Sequence, residues 1–549
     1  MRLNIEEAPF QFQPSQTDYT TKCEKKKLGQ GYPSELFYRG CELWETLYGI
    51  LLAFPLVMYF FIPVYFNLGI TSVYQYLDMR FKSKLVRRLA SAAYICRTLL
   101  VLGVATFTPC IAIKTVIGIP YYVSIIGMIL VSILFMLSGG FSSALMGDVV
   151  QGILMILVCL IVIVKGTIEA GGPWNVIKLS HEKRRLDFFN FDLDPTKRAT
   201  TVSALVGHLF ISLSMYGCQQ NYVQRYASLK TKEKVNRILM LSIPVTMVMM
   251  SLSWVVGMVI LADYVDCDPK KLGYINDIDE LFPFYLEDKF SILPGLLGVV
   301  LGTLFNGALS AIVSNVNCVA TVLWEDFVSS APRFKKLSDS KQVWALKILS
   351  ALSCFVIMGI TFCVSQFSGI IEISIIMISA TSGPLLGVFT LAMFFPSVNW
   401  KGAVSGIIGG FLLIMWLTIG AATLTKPPVV YLPTSIDQCT NDTFNDVVVQ
   451  HRIDERDKDF KMPMMEVNRS SVVVPEEPIP ADENMLHTFY KITYLYYSVI
   501  GTLATVLIGV LTSSLMGSQA EEYLFSENLV HPLVAKLRPY HTRIPMEIS

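Results

Sequence analysis

The stretch Gly307-Ala308-Leu309-Ser310-Ala311-Ile312-Val313-Ser314-Asn315-Val316-Asn317 places small or hydroxylated side chains at 307, 310, 311 and 314. At about 3.6 residues per turn these four positions share one helix face. A serine inside an apolar helix ordinarily donates to the carbonyl one turn back. The same hydroxyls, standing beside backbone carbonyls, are also the neutral oxygen donors that a desolvated Na+ requires. The face formed by Gly307, Ser310, Ala311 and Ser314, with Asn317 beyond it, is therefore a candidate cation site.

A second polar concentration runs through Ser212-Leu213-Ser214-Met215-Tyr216-Gly217-Cys218-Gln219-Gln220 into Asn221-Tyr222-Val223-Gln224-Arg225. Amides in such number beside apolar sequence are costly unless buried between helices and paired, which makes Tyr216 and Gln219 solute or gating candidates. Asp148 and Gln151 stand one turn apart at the start of another apolar run, GGFSSALMGDVVQG. An acid at the positive end of a helix is also a plain capping arrangement. Arg97 lies some ten residues into its own run, about 14 Å deep at 1.5 Å per residue. There it either attracts an anion, pairs with an acid or snorkels to the interface. His208 either exchanges a proton and hydrogen-bonds a solute, or is a satisfied core histidine.

These groups must be held by elements that tolerate an apolar solvent. Of the 549 residues 53% are hydrophobic and only 16% charged, with mean hydropathy +0.52, against about a quarter charged in soluble domains. Runs long enough to cross about 30 Å of hydrocarbon fall at 45–66, 88–113, 120–138, 144–167, 201–220, 238–263, 292–323, 343–367, 370–396, 402–424 and 488–515. The fold class predicted is thus an all-α polytopic membrane protein of about 11 transmembrane helices. Its parts are a polar segment 1–43, a core of ten spans over 44–424, a loop 425–487, a last span 488–515 and a tail 516–549.

Three short loops are basic: Arg80 to Arg88, Arg225 to Arg237 and Arg333 to Lys341. All three follow odd-numbered spans and share one side, which the positive-inside rule makes the cytoplasm, along with the C-terminal tail. The acidic loop 264–291 and the loop 425–487 then lie outside. The latter carries the sequons at Asn441 and Asn468 and Pro-rich stretches that predict little fixed structure. The loop 168–200 runs against this pattern, since Lys183, Arg184, Arg185, Lys197 and Arg198 would all be external. Most of the eleven cysteines sit in apolar runs as small core side chains. Cys267 and Cys439 lie in the two external loops, where a disulfide between them is one outcome the sequence allows. A net charge of +1 gives no pull toward nucleic acid. No nucleophile motif, metal-ligand spacing or phosphate loop supports an enzyme or a cofactor.

The stretches GGFSSALMGDVVQG, NYVQRYAS, DELFPFYLED, LSAIVSNVNCVATVLWEDF and SGPLLGVFTLAMFFP, in this order, resemble the sodium/solute symporter family over residues 31–424. GYPSELFYRG and FIPVYFNLGITSVYQYLDMRF are similar to its animal branch of monocarboxylate, multivitamin and iodide carriers. The resemblance implies a five-plus-five inverted-repeat fold. It implies alternating access in the plasma membrane, with Na+ as coupling ion and a small anion (a monocarboxylate, a vitamin such as biotin or pantothenate, or iodide) as solute. In that family the Na+ site takes a small residue and two adjacent hydroxyls at positions matching Gly307, Ser310 and Ala311, so Ala311 lacks one oxygen ligand. The family's leading helix and most of its first broken helix, which ends in a segment like Gly31-Tyr32-Pro33-Ser34-Glu35, have no counterpart in the polar residues before Gly31. Both departures keep two further expectations open: an uncoupled facilitator or conductance, and a non-transporting sensor.

Overall fold

A computed structural model describes residues 31–66, 68, 72–138, 141–227, 229, 231–290, 295–329, 334, 338–366, 370–423, 431–437, 439, 444, 485–516 and 529–536. The side chains of 138, 141–149, 339, 370–373, 485–487 and 535–536 are outside that description. The sequons at Asn441 and Asn468, and whatever precedes Gly31, lie outside it too.

Among the described residues ten helices are long and apolar enough to cross a membrane, and Tyr121–Leu137 is a shorter apolar helix. In chain order the first half comprises α1 (Gly31–Arg39), α2 (Thr46–Phe60), α3 (Ile62–Phe66), α4 (Val73–Phe81), α5 (Lys84–Ile117), α6 (Tyr121–Ser138), α7 (Phe141–Glu169) and α8 (Pro173–Glu182). The second half holds α9 (Thr201–Cys218), α10 (Gln220–Ala227), α11 (Lys232–Tyr264), α12 (Leu281–Phe290), α13 (Leu296–Leu323), α14 (Asp339–Val364) and α15 (Ile370–Phe394). It is followed by α16 (Trp400–Thr423), α17 (Met485–Tyr490), α18 (Tyr497–Leu515) and α19 (Pro532–Lys536). Ten of the eleven expected runs overlap these long helices, the run 120–138 is the shorter apolar one, and the last long helix starts at Tyr494, just after Thr493, which donates to Pro195 O through its amide (2.9 Å) and to Arg198 O through its hydroxyl (2.5 Å).

Local sequence explains where these helices start and stop. Thr200 and Ser203 form a reciprocal capping box at the start of α9, satisfying amides that a helix cannot pair internally. Gly118 (φ 76°) ends α5 in the left-handed conformation. Helices without a hydrophobic drive between them associate by close backbone approach. At Gly49 of α2 an added Cβ would fall 2.4 Å from Leu205 O of α9, so only glycine lets these two helices meet. Large apolar side chains such as Leu134 on α6 and Leu352 on α14 stay exposed, as a lipid-facing surface demands.

In the loop 168–200 the basic side chains are engaged by carbonyls and carboxylates. Arg185 is fully buried and donates to Phe37 O (3.0 Å), Lys183 O (2.6 Å), Pro433 O (3.0 Å) and Leu432 O (3.3 Å). Burial pulls its guanidinium down to about 10, with Asp268 opposing, so it stays charged at neutral pH. Lys183 pairs with Asp266, Arg198 with Glu35, Lys197 with Asp192 and Arg184 with Asp187.

Of the loop after α16, residues 431–437, 439 and 444 pack on the bundle, and the Pro-rich stretch 474–480 lies outside the described residues. Leu432 donates to Tyr38 O (2.8 Å), Ser435 to Val265 O (3.0 Å), and Asp268 to Ser435 O (3.1 Å). A disulfide joins Cys267 to Cys439. Asp268 also accepts the hydroxyls of Tyr38 (3.0 Å) and Thr434 (2.7 Å). A strap of backbone bonds thus ties α1, the end of α11 and residues 432–435 together.

Candidate solute and cation site

The site is built around an interruption. α9 stops at Cys218, Gln219 is extended (φ −98°, ψ 138°), and α10 restarts at Gln220. Breaking a helix inside a bundle frees carbonyls that must find other partners. The Tyr65 hydroxyl donates to Gly217 O (2.8 Å) and the Tyr74 hydroxyl to Cys218 O (3.2 Å). The Gln220 side-chain oxygen accepts from Val73 N (2.8 Å). The segment α3–α4 therefore braces the break from the end of the bundle that bears the basic loops.

Arg97 reaches the same place from α5. It is 4% exposed, and its Nε donates to Ser382 Oγ (3.3 Å). The carbonyl of Ser382 in turn accepts from Ser214 Oγ on α9 (2.9 Å). Among the described residues no carboxylate forms an ion pair with Arg97. A buried guanidinium without an acid is expensive unless polar groups or a ligand compensate it. Nearby, the Tyr216 hydroxyl and the Gln219 Nε2 are buried without a hydrogen-bond partner among the described residues. The Tyr216 ring packs between Phe54 (4.6 Å) and Tyr222 (5.0 Å).

The small-residue face of α13 lies against α7 and α10. At Gly307 a Cβ would come 2.1 Å from Gln151 Nε2, so the amide of Gln151 occupies the space that glycine leaves. Ser310 and Ala311 are buried (5% and 4% exposed), and Ala311 O accepts from Asn315 Nδ2 (2.9 Å). Ser314 Oγ accepts from Arg225 Nη2 (3.3 Å), and Asn315 Oδ1 from Asn221 Nδ2 (3.0 Å). Residues 221 and 225 of α10 thus read residues 315 and 314 of α13, which neither periodicity nor composition indicated. Asn317 is half-buried, with its carbonyl accepting from Thr321 (2.9 Å). The structure keeps His208 apart: it is half-buried eleven residues before Gln219, about 16 Å along the helix. Asp148 falls in α7, but its side chain is outside the described set.

A broken helix braced by tyrosines, a buried cation beside it and unpaired polar groups at the break define a membrane carrier rather than an enzyme. The sodium:solute symporter family matches residues 30–410. The chain belongs to that family.

Among its relatives, human sodium-coupled monocarboxylate transporter 2 is 32% identical over 495 residues, covering 90% of this chain and 75% of the relative. The human sodium/iodide cotransporter is 33% identical over 496 residues, covering 89% and 74%. These bear out the expected branch. A solved structure of a Na+-coupled sialic acid symporter in a substrate-bound outward-open state superposes with TM-score 0.64, at 18% identity, covering 90% of this chain and 88% of that one. The fold is that of a Na+ symporter.

Proposed function

We propose that this chain carries a small anion across the plasma membrane by alternating access, coupled to Na+, with its C-terminal tail in the cytoplasm. The observation that carries the anion is Arg97, buried at the break with no carboxylate partner among the described residues. Its guanidinium would bind the solute's negative group, with Tyr216 and Gln219 donating alongside it. A monocarboxylate or iodide fits this chemistry, and the relatives that carry those solutes support the choice. Na+ would take Ser310 and neighbouring carbonyls. Solute and ion then stabilise one arrangement of the two repeats more than the other, which is the source of coupling.

A second reading, uncoupled passage on the same fold, draws on the cation face itself. Ala311 supplies no hydroxyl, and the Ser314 hydroxyl accepts from Arg225.

The test is uptake of labelled lactate, biotin, pantothenate and iodide by cells expressing the chain, in Na+ and in choline, normalised to surface protein. Uptake that collapses in choline establishes coupling. Equal uptake in both supports the uncoupled reading, and no uptake with protein at the surface sinks transport of these solutes. A mobility shift on enzymatic deglycosylation, lost in Asn441→Gln/Asn468→Gln, checks the orientation.

A further inference from the structure

At the end of the bundle that bears the basic loops, a segment far along the chain is seated in a fitted site. His531 is 3% exposed and Val530 2%. The imidazole stands among the rings of Phe394 (5.5 Å), Phe60 (5.6 Å) and Tyr59 (5.9 Å), and its Nε2 bonds Tyr59 O (3.0 Å). The backbone is held as well: His531 N donates to Met393 O (3.1 Å), and the Tyr76 hydroxyl donates to Leu529 O (2.9 Å). Three elements therefore grip one short peptide: the end of α2, the middle of α4 and the end of α15.

The same α4 reaches the helix break. The Tyr76 ring meets Tyr65 (5.9 Å) and stacks on Phe389 (6.2 Å), and Phe389 also meets the Tyr65 and Tyr74 rings (6.4 and 6.2 Å). Tyr65 and Tyr74 hold Gly217 O and Cys218 O. From Leu529 to the break there is thus an unbroken line of contacts, in which each tyrosine uses its hydroxyl on one backbone carbonyl and its ring on the next aromatic.

We propose that the site on α2, α4 and α15 is a peptide-docking surface whose ligand is this chain's own segment around Leu529, Val530 and His531, and that docking there holds the break of α9–α10 in its braced form. Undocking frees α4 to move and loosens the carbonyls at the solute site, so the tail sets how readily the carrier changes state. This rests on the transport reading for its consequence, but not for its structural content.

The test therefore uses a structural readout. Cys218 sits at the break and is fully buried, and Cys354 on α14 is equally buried in a separate packed cluster. Alkylation of each by a small maleimide is followed by peptide mass spectrometry in the purified full chain and in His531→Ala and Tyr76→Phe. Both variants are expected to speed Cys218 alkylation about fivefold, the order of one lost hydrogen bond, and to leave Cys354 unchanged. A synthetic peptide of residues 525–538 added to His531→Ala should slow Cys218 again. Unchanged Cys218 reactivity, a parallel rise at Cys354, or a peptide without effect would each overturn the proposal. Uptake is measured separately, so a chain that carries no solute yet shows the Cys218 response defeats the transport reading and not the docking site.

Discussion

Gly307 of α13 and Gln151 of α7 share one volume: a methyl group on the glycine would lie 2.1 Å from the glutamine amide. Gly307→Ala should therefore push Gln151 out of its place rather than unfold the helix, since the clash is with the far end of a flexible side chain. Misplacement of about an ångström at a site can cost up to about 100-fold, so uptake per surface molecule should fall at least about tenfold. The check is a double mutant. If the clash is the cause, Gly307→Ala adds little to Gln151→Ala, and additive losses would refute it.

Arg97→Gln should raise the solute KM about 10–100-fold, the range for losing one charge-assisted hydrogen bond, with surface expression maintained. Arg97→Lys keeps the charge but not the planar fork, and should fall between. An unchanged KM in both would place the anion elsewhere.

Adding a hydroxyl at 311 supplies the oxygen that the cation face lacks. Ala311→Ser should lower the Na+ concentration for half-maximal uptake about threefold to tenfold, the order of one added neutral oxygen donor. Sodium dependence measured on the variant and the parent decides it. If the parent is uncoupled, the same substitution should introduce a Na+ dependence that was absent.

The Cys267–Cys439 bridge closes a sequence separation of 172 residues. Cys267→Ser should cost about 2–5 kcal/mol in folding stability, read as a lower thermal aggregation midpoint and reduced surface protein. Parent protein treated with a reductant should shift the same way, and the variant should not respond further.

The spans were legible because bilayer thickness sets their length: an apolar run of about 20 residues has few other uses in water. The cation face was legible by helical period. The exact break was less so, because the polar run 212–224 contains several residues able to leave a helix, and only tertiary bonds from Tyr65 and Tyr74 select Gln219. Least legible were contacts made to backbone. Arg185 is met by carbonyls of Leu432 and Pro433, more than 240 positions on. A carbonyl carries no residue identity, so nothing in the chain's pattern announces such a partner. The docked His531 was hidden for the same reason, its fixed points being carbonyls of Tyr59 and Met393.

The pairing of the 168–200 loop has a consequence for an arriving solute. Its six Lys and Arg side chains each reach a backbone carbonyl or a carboxylate, so this stretch of surface presents little unbalanced positive charge. If the solute is the anion proposed above, this loop would offer it no lure short of the centre. On the proposed reading, Arg97, buried and without a carboxylate partner among the described residues, would then be the charge that holds it.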